Sequence, residues 1–136
     1  MASVTDIHNF DEQFKCQLDK LAEADIDERD RQAIQEFIRY QDTQLGLAAS
    51  TNLNSCSALR LSAERADTPL VEMGRSDVDG LLFNYKHEYE MAKGTLRNYR
   101  KALRKFFRYH DREWAEDIKV GSIPDRDVDA DKTLTE

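Results

Sequence analysis

Cysteine, proline and glycine are all scarce in this chain, which has two, two and five of them among its 136 residues. Cys16 and Cys56 lie far apart with no C-x-x-C spacing, so they predict neither a disulfide framework nor a zinc site. His8, His87 and His110 show no metal-ligand spacing with cysteine or carboxylate either. We therefore expect no metal and no cofactor. Few helix breakers favour a chain built of helices.

Long apolar runs are also missing. No stretch approaches the roughly 20 apolar residues that span a bilayer. The N-terminus, MASVTDIHNF, lacks the basic and apolar regions of a signal peptide. We expect a cytoplasmic protein that meets no membrane.

Acidic residues outnumber basic ones by 27 to 20, which gives a net charge of −7. Aspartate is commoner than glutamate, with 16 against 11. Such surface acid keeps a protein hydrated in concentrated salt, where self-repulsion is screened. We hypothesise a halophilic, salt-adapted source.

One segment reverses this charge. Residues 93–112, KGTLRNYRKALRKFFRYHDR, hold eight basic residues and a single acid. At 3.6 residues per turn the segment predicts a helix with two faces. Its apolar arc comprises Leu96, Tyr99, Leu103, Phe106, Phe107 and His110, and its basic arc comprises Arg97, Arg100, Lys101, Arg104, Lys105 and Arg108. The basic arc is either a solvated face neutralised by acidic neighbours or an anion-binding ridge, most simply for a nucleic-acid backbone.

Apolar periodicity predicts further helices over residues 7–24, 28–45, 51–66 and 76–89. Asp27 is the expected N-cap of the second, Ser50 or Thr51 of the third, and Thr95 of the ridge helix. Ser76 and Asp79 have the spacing of a capping box for the fourth.

The sequence repeats itself after 44 residues. Thr51, Asn54, Ala58, Leu59, Arg60 and Asp67 fall on Thr95, Asn98, Ala102, Leu103, Arg104 and Asp111. The repeated unit is a helix, a short connection and a second helix. The repeat predicts two helical hairpins packed with rough two-fold symmetry.

Two stretches together resemble the N-terminal core-binding domain of tyrosine recombinases and phage integrases. They are FIRYQDTQLGLAASTNLNSCSALRLSAERADTPL (37–70) and GTLRNYRKALRKFFRYHDREWAEDI (94–118). The acid-rich version is most similar to integrase-type proteins of salt-adapted archaea. The resemblance implies an all-α fold, a SAM-like bundle of four or five helices built from two hairpins. It also implies that this bundle forms one jaw of a clamp around double-stranded DNA.

The resemblance implies that the second helix of each hairpin faces the duplex. The implied contacts are Thr51, Asn54, Ser57 and Arg60 in the first hairpin, and Lys93, Thr95, Arg97, Asn98, Lys101 and Arg104 in the second. It further implies contacts with other protomers on DNA.

The catalytic motif of such recombinases, H-x-x-R before a nucleophilic tyrosine, is absent. His87 is followed at the third position by Glu90, and His110 by Glu113. We therefore expect a piece of a longer enzyme that has no catalytic residues and no small-molecule substrate of its own.

The expected organisation has three parts. Residues 1–26 form an N-terminal helix that packs on this bundle or serves as an arm to another protomer. Residues 27–118 form the core-binding domain, and residues 119–136 form a linker to a catalytic domain. The alternative function is a helical protein-interaction module whose basic ridge docks an acidic partner. An exposed apolar groove beside the ridge would favour that alternative.

Overall fold

A computed structural model describes residues 4–120 of the chain, with side chains from residue 11 onward. This part contains five α-helices and no strand, so the all-α prediction is confirmed. The helices are α1 (Val4–Glu23), α2 (Glu28–Thr43), α3 (Ala49–Arg65), α4 (Arg75–His87) and α5 (Lys93–Tyr109). Two 3₁₀ turns complete it, the first at Leu70–Glu72 and the second at Glu113–Asp117. Within residues 4–120, no helix is both long enough and apolar enough to cross a membrane. Most of the predicted linker, residues 121–136, lies outside the described residues.

The first helix belongs to the bundle of its own chain. Leu21 is fully buried, and Phe14 and Leu18 pack against the same core as the later helices. The Cys56 thiol of α3 lies 3.7 Å from the backbone oxygen of Gln17. Burial raises the pKa of this thiol to about 11. Helix α1 therefore covers one side of α3. The sequence left open whether this helix packs on the bundle or on another protomer, and here it packs on the bundle.

The starts of α3 and α5 differ from the predicted ones. Their N-caps are Ala48 and Ala92, both extended, and neither makes a side-chain capping bond. The predictions of Ser50 or Thr51 and of Thr95 as caps are wrong, because the helices begin before these hydroxyls and include them in the first turn. Backbone N–H groups at both starts are thus left without a side-chain acceptor.

Helix α4 also begins earlier than predicted. Its N-cap is Gly74, whose backbone N–H donates to Asp77 Oδ2 at 2.9 Å. The proposed capping box of Ser76 and Asp79 is wrong, because the extended residue Gly74 caps the helix and Ser76 already lies in its first turn. The predicted cap at Asp27 is confirmed, since its carboxylate accepts the Arg29 backbone N–H at 2.8 Å.

The 44-residue repeat extends to the backbone of the two helix connections. Leu47 N–H donates to Gln41 O at 3.1 Å, and Met91 N–H donates to Tyr85 O at 3.0 Å. Between them the chain turns through left-handed residues, Gly46 at φ 62° and Glu90 at φ 50°. The capping residues Ala48 and Ala92 have φ and ψ within 2° of each other, −64° and 153° against −63° and 155°. The hairpins α2–α3 and α4–α5 are therefore repeats in structure as well as in sequence.

Candidate nucleic-acid interface

Helix α5 has the two faces that its sequence predicts. Its buried residues are Leu96, Ala102, Leu103, Phe106 and Phe107, with Tyr99 and His110 half-buried at the edges. Phe106 packs edge-to-face on Phe37 of α2, at 5.8 Å between ring centroids. Because this underside is held in the core, the basic arc lies toward the surface. Lys101 and Arg108 are exposed, whereas Arg97, Arg100, Arg104 and Lys105 are half-buried.

The outer side of α5 and the start of α3 enclose a small cleft of about 110 Å³. We call it the α3/α5 cleft. It is lined by Thr51, Asn54 and Ser55 from α3 and by Asn98, Lys101, Ala102 and Lys105 from α5. Four residues chosen from the sequence thus meet, two from each repeat. The lining offers amide, hydroxyl and ammonium groups, which are the groups that contact phosphate and sugar in nucleic-acid complexes.

The two lysines of the cleft carry charge that no described acid neutralises. Neither Lys101 nor Lys105 forms an ion pair within residues 11–120. Lys105 is half-buried, and its pKa is lowered by that burial and by the neighbouring cations Lys101 and Arg108. Positive charges held close together at a half-buried position favour binding of an anion.

The far end of the ridge is partly neutralised by Glu116 of the second 3₁₀ turn. One carboxylate oxygen accepts from Arg104 at 2.9 Å, and the other accepts from Arg108 at 2.7 Å. The guanidinium groups of Arg108 and Arg104 hold the pKa of Glu116 at about 2. Glu116 therefore stays ionised at neutral pH and occupies two cations that would otherwise be open to a phosphate.

Replacing Glu116 by glutamine is expected to strengthen binding of duplex DNA by roughly three- to tenfold, because Arg104 and Arg108 become available to phosphates. The slope of log affinity against log salt is expected to steepen by about one to two. Titration of a fluorescein-labelled duplex at several salt concentrations measures both.

The matched control is Asp117→Asn, which removes the same charge from the next position. Asp117 pairs instead with Arg75 at 3.3 Å, away from the ridge. Equal gains in DNA affinity from both variants would show that net charge alone is responsible. The pairing of Glu116 with Arg104 and Arg108 would then not limit DNA binding.

The remaining predicted contacts lie outside the cleft. Arg60 points to the α1 side of α3, where it pairs with Glu64 at 3.1 Å and contacts Gln17 at 3.4 Å. It lies on the opposite face of α3 from Thr51, because nine residues after Thr51 the helix has turned by about half a circle. Ser57 is half-buried on α3.

On α5, Lys93 and Thr95 are exposed in the first turn, and Arg97 is half-buried. Arg104 is engaged by Glu116 as described above.

Sequence reasoning missed two contributors to this surface. Ser55 lines the cleft, and its position four residues after Thr51 could have revealed it, since both lie on one helical face. Glu116 had no such signal, because it reaches the ridge only through the turn that follows α5.

Comparisons with protein-family models, with curated proteins and with solved structures found no match to this chain.

Proposed function

We propose that this chain is a DNA-binding module that holds the backbone of a duplex across the α3/α5 cleft. The observation that carries the proposal is the meeting of Thr51 and Asn54 with Asn98 and Lys101 in that cleft. Residues of both repeats, including the equivalent pair Asn54 and Asn98, thus face one ligand, as a repeating phosphate backbone suits. The uncapped starts of α3 and α5 add backbone N–H donors nearby.

The finer proposal is that the module belongs to a site-specific tyrosine recombinase and meets other protomers on DNA. It is supported by the motif resemblance given above and by the all-α fold. A net charge of −7 opposes binding to DNA, so the isolated module should bind weakly and with strong salt dependence. A catalytic domain on the same chain would supply the rest of the affinity.

The test compares two double variants matched in chemistry. Asn98→Ala with Lys101→Gln removes one amide and one positive charge from the cleft. Asn84→Ala with Lys86→Gln removes the same groups from α4, and all four side chains are exposed. We expect the cleft variant to lose about tenfold in duplex affinity and about one unit of salt slope. The α4 variant should stay within about twofold.

Fluorescence anisotropy at several salt concentrations measures the affinities and the salt slope, and circular dichroism confirms that both variants are folded. Equal losses in the two variants would remove the support for this cleft as the contact surface.

A second candidate function, docking of an acidic protein partner on the ridge, is favoured by one observation. Leu45, at the end of α2, is 52% exposed and lines an apolar groove beside the ridge, together with Phe37, Tyr40 and Tyr109. Exposed apolar surface next to cations suits an acidic amphipathic segment.

A further inference from the structure

The groove beside the ridge, here called the aromatic groove, has the make-up of a ligand site. Its volume is about 380 Å³. Three aromatic rings line it, and Tyr109 lies 4.8 Å from Tyr40 and 5.6 Å from Phe37 between ring centroids. Gln41 of α2 and Leu45, which follows that helix, also line it, and Lys105 and Arg108 line the α5 side. Pockets of this size that combine apolar walls with a few polar groups are typical of small-ligand sites.

Gln41 lines this groove and carries a buried hydrogen-bond acceptor that has no donor. Its side chain is fully buried, and its Nε2 donates to Asn52 Oδ1 at 3.2 Å. The Asn52 amide nitrogen donates in turn to Leu47 O and to Asp42. This fixes the Asn52 oxygen toward Gln41, so the Gln41 nitrogen must face it. The Gln41 Oε1 atom is left without a donor.

The aromatic groove lies next to the α3/α5 cleft, because Lys105 lines both. A strand whose phosphates follow the cleft therefore leads to the groove. Aromatic rings beside cations are how proteins hold unpaired nucleotides, with the base on a ring and the phosphate on the cation.

We propose that the aromatic groove binds a single nucleotide, with its base against Tyr40 and Tyr109 and its phosphate at Lys105. The proposal rests on the proposed function where the nucleotide is an unpaired residue of a bound duplex. A free nucleotide has the same chemistry, and the experiment separates the two sources.

The experiment uses a labelled duplex in two forms, fully paired and carrying one unpaired adenosine nucleotide, with deoxyadenosine monophosphate as the free ligand. The variant is Leu45→Glu, which places a negative charge at an exposed position that lines the groove. The control is Phe83→Glu, the same change of charge at an exposed apolar residue of α4.

The wild type and Phe83→Glu are expected to bind the duplex with the unpaired nucleotide about tenfold more tightly than the paired one. Leu45→Glu is expected to lose this preference. A third result is that the wild type binds the monophosphate, Leu45→Glu does not, and neither protein prefers one duplex. That result would support a nucleotide site in the groove whose ligand is a free nucleotide.

The inference is overturned if the wild type shows neither the preference nor monophosphate binding. It is equally overturned if both survive in Leu45→Glu, or if only an acidic peptide with an aromatic residue binds there. The proposed function would survive these results provided that paired-duplex binding still depends on Asn98 and Lys101. Loss of that dependence would count against the proposed function instead.

Discussion

Phe106→Ala is expected to lower the free energy of unfolding by about 3–5 kcal/mol, a large part of the roughly 5–15 kcal/mol that stabilises a domain. Phe106 is 1% exposed and packs edge-to-face on Phe37 and Phe107, with His110 at 4.7 Å between ring centroids. Truncation removes the apolar contacts and leaves a cavity under the basic ridge, which the surrounding helices can fill only in part. Urea unfolding followed by circular dichroism measures the change.

The control for this prediction is Phe83→Ala, the same truncation on α4, where the ring is 64% exposed. Its effect should stay within about 0.5 kcal/mol, as is usual for surface substitutions. A Phe106→Ala loss as small as that of the control would show that the ridge is not held by its aromatic underside.

Asp30→Ala is expected to cost about 2–4 kcal/mol, because it leaves two backbone N–H groups without their acceptor. Asp30 of α2 is 1% exposed and accepts from Leu70 N–H at 2.8 Å and from Val71 N–H at 3.0 Å. These bonds attach the first 3₁₀ turn, and hence the entry to the second hairpin, to the first. Urea unfolding at pH 7 gives the cost, and hydrogen exchange should show the Leu70 amide losing protection.

Two further substitutions test whether the loss of stability comes from the two backbone hydrogen bonds. Asp30→Asn keeps one acceptor but turns an amide N–H₂ toward the other donor, so an intermediate loss is expected. Asp79→Ala removes an exposed carboxylate and should change little. Similar losses from Asp79→Ala and Asp30→Ala would contradict the role of the two backbone bonds.

The pH matters for the Asp30 comparison. Burial raises the pKa of Asp30, and its bonds to Leu70 and Val71 only partly oppose this. Because the pKa of Asp30 is higher in the folded state than in the unfolded one, protonation of this carboxylate stabilises the fold at pH values below its ordinary pKa. This stabilisation is lost as the pH rises through the folded-state pKa. The variants should therefore be compared at a single pH.

The two hairpins show which features of the fold could be predicted from the sequence. The 44-residue repeat predicted that Asn54 and Asn98 are equivalent, and the connections of both hairpins do share their backbone bonds. The helix starts were predicted less well. Hydroxyl residues favour N-caps, yet α3 and α5 begin at alanine caps, because the repeated turn at Gly46 and Glu90 determines where the helical geometry resumes.

The sequence by itself determined the features that follow from the periodicity of its apolar residues. These are five helices, one of which has an aromatic face opposite a basic one. Periodicity assigns a residue to a face of its own helix, and that assignment holds wherever the helix packs. Only the tertiary structure decided what each face meets. It turned Arg60 toward Gln17 of α1, set Glu116 against Arg104 and Arg108, and left Lys101 and Lys105 open in a cleft between the repeats. Such pairings depend on the distances between segments far apart in the chain, which no local pattern encodes.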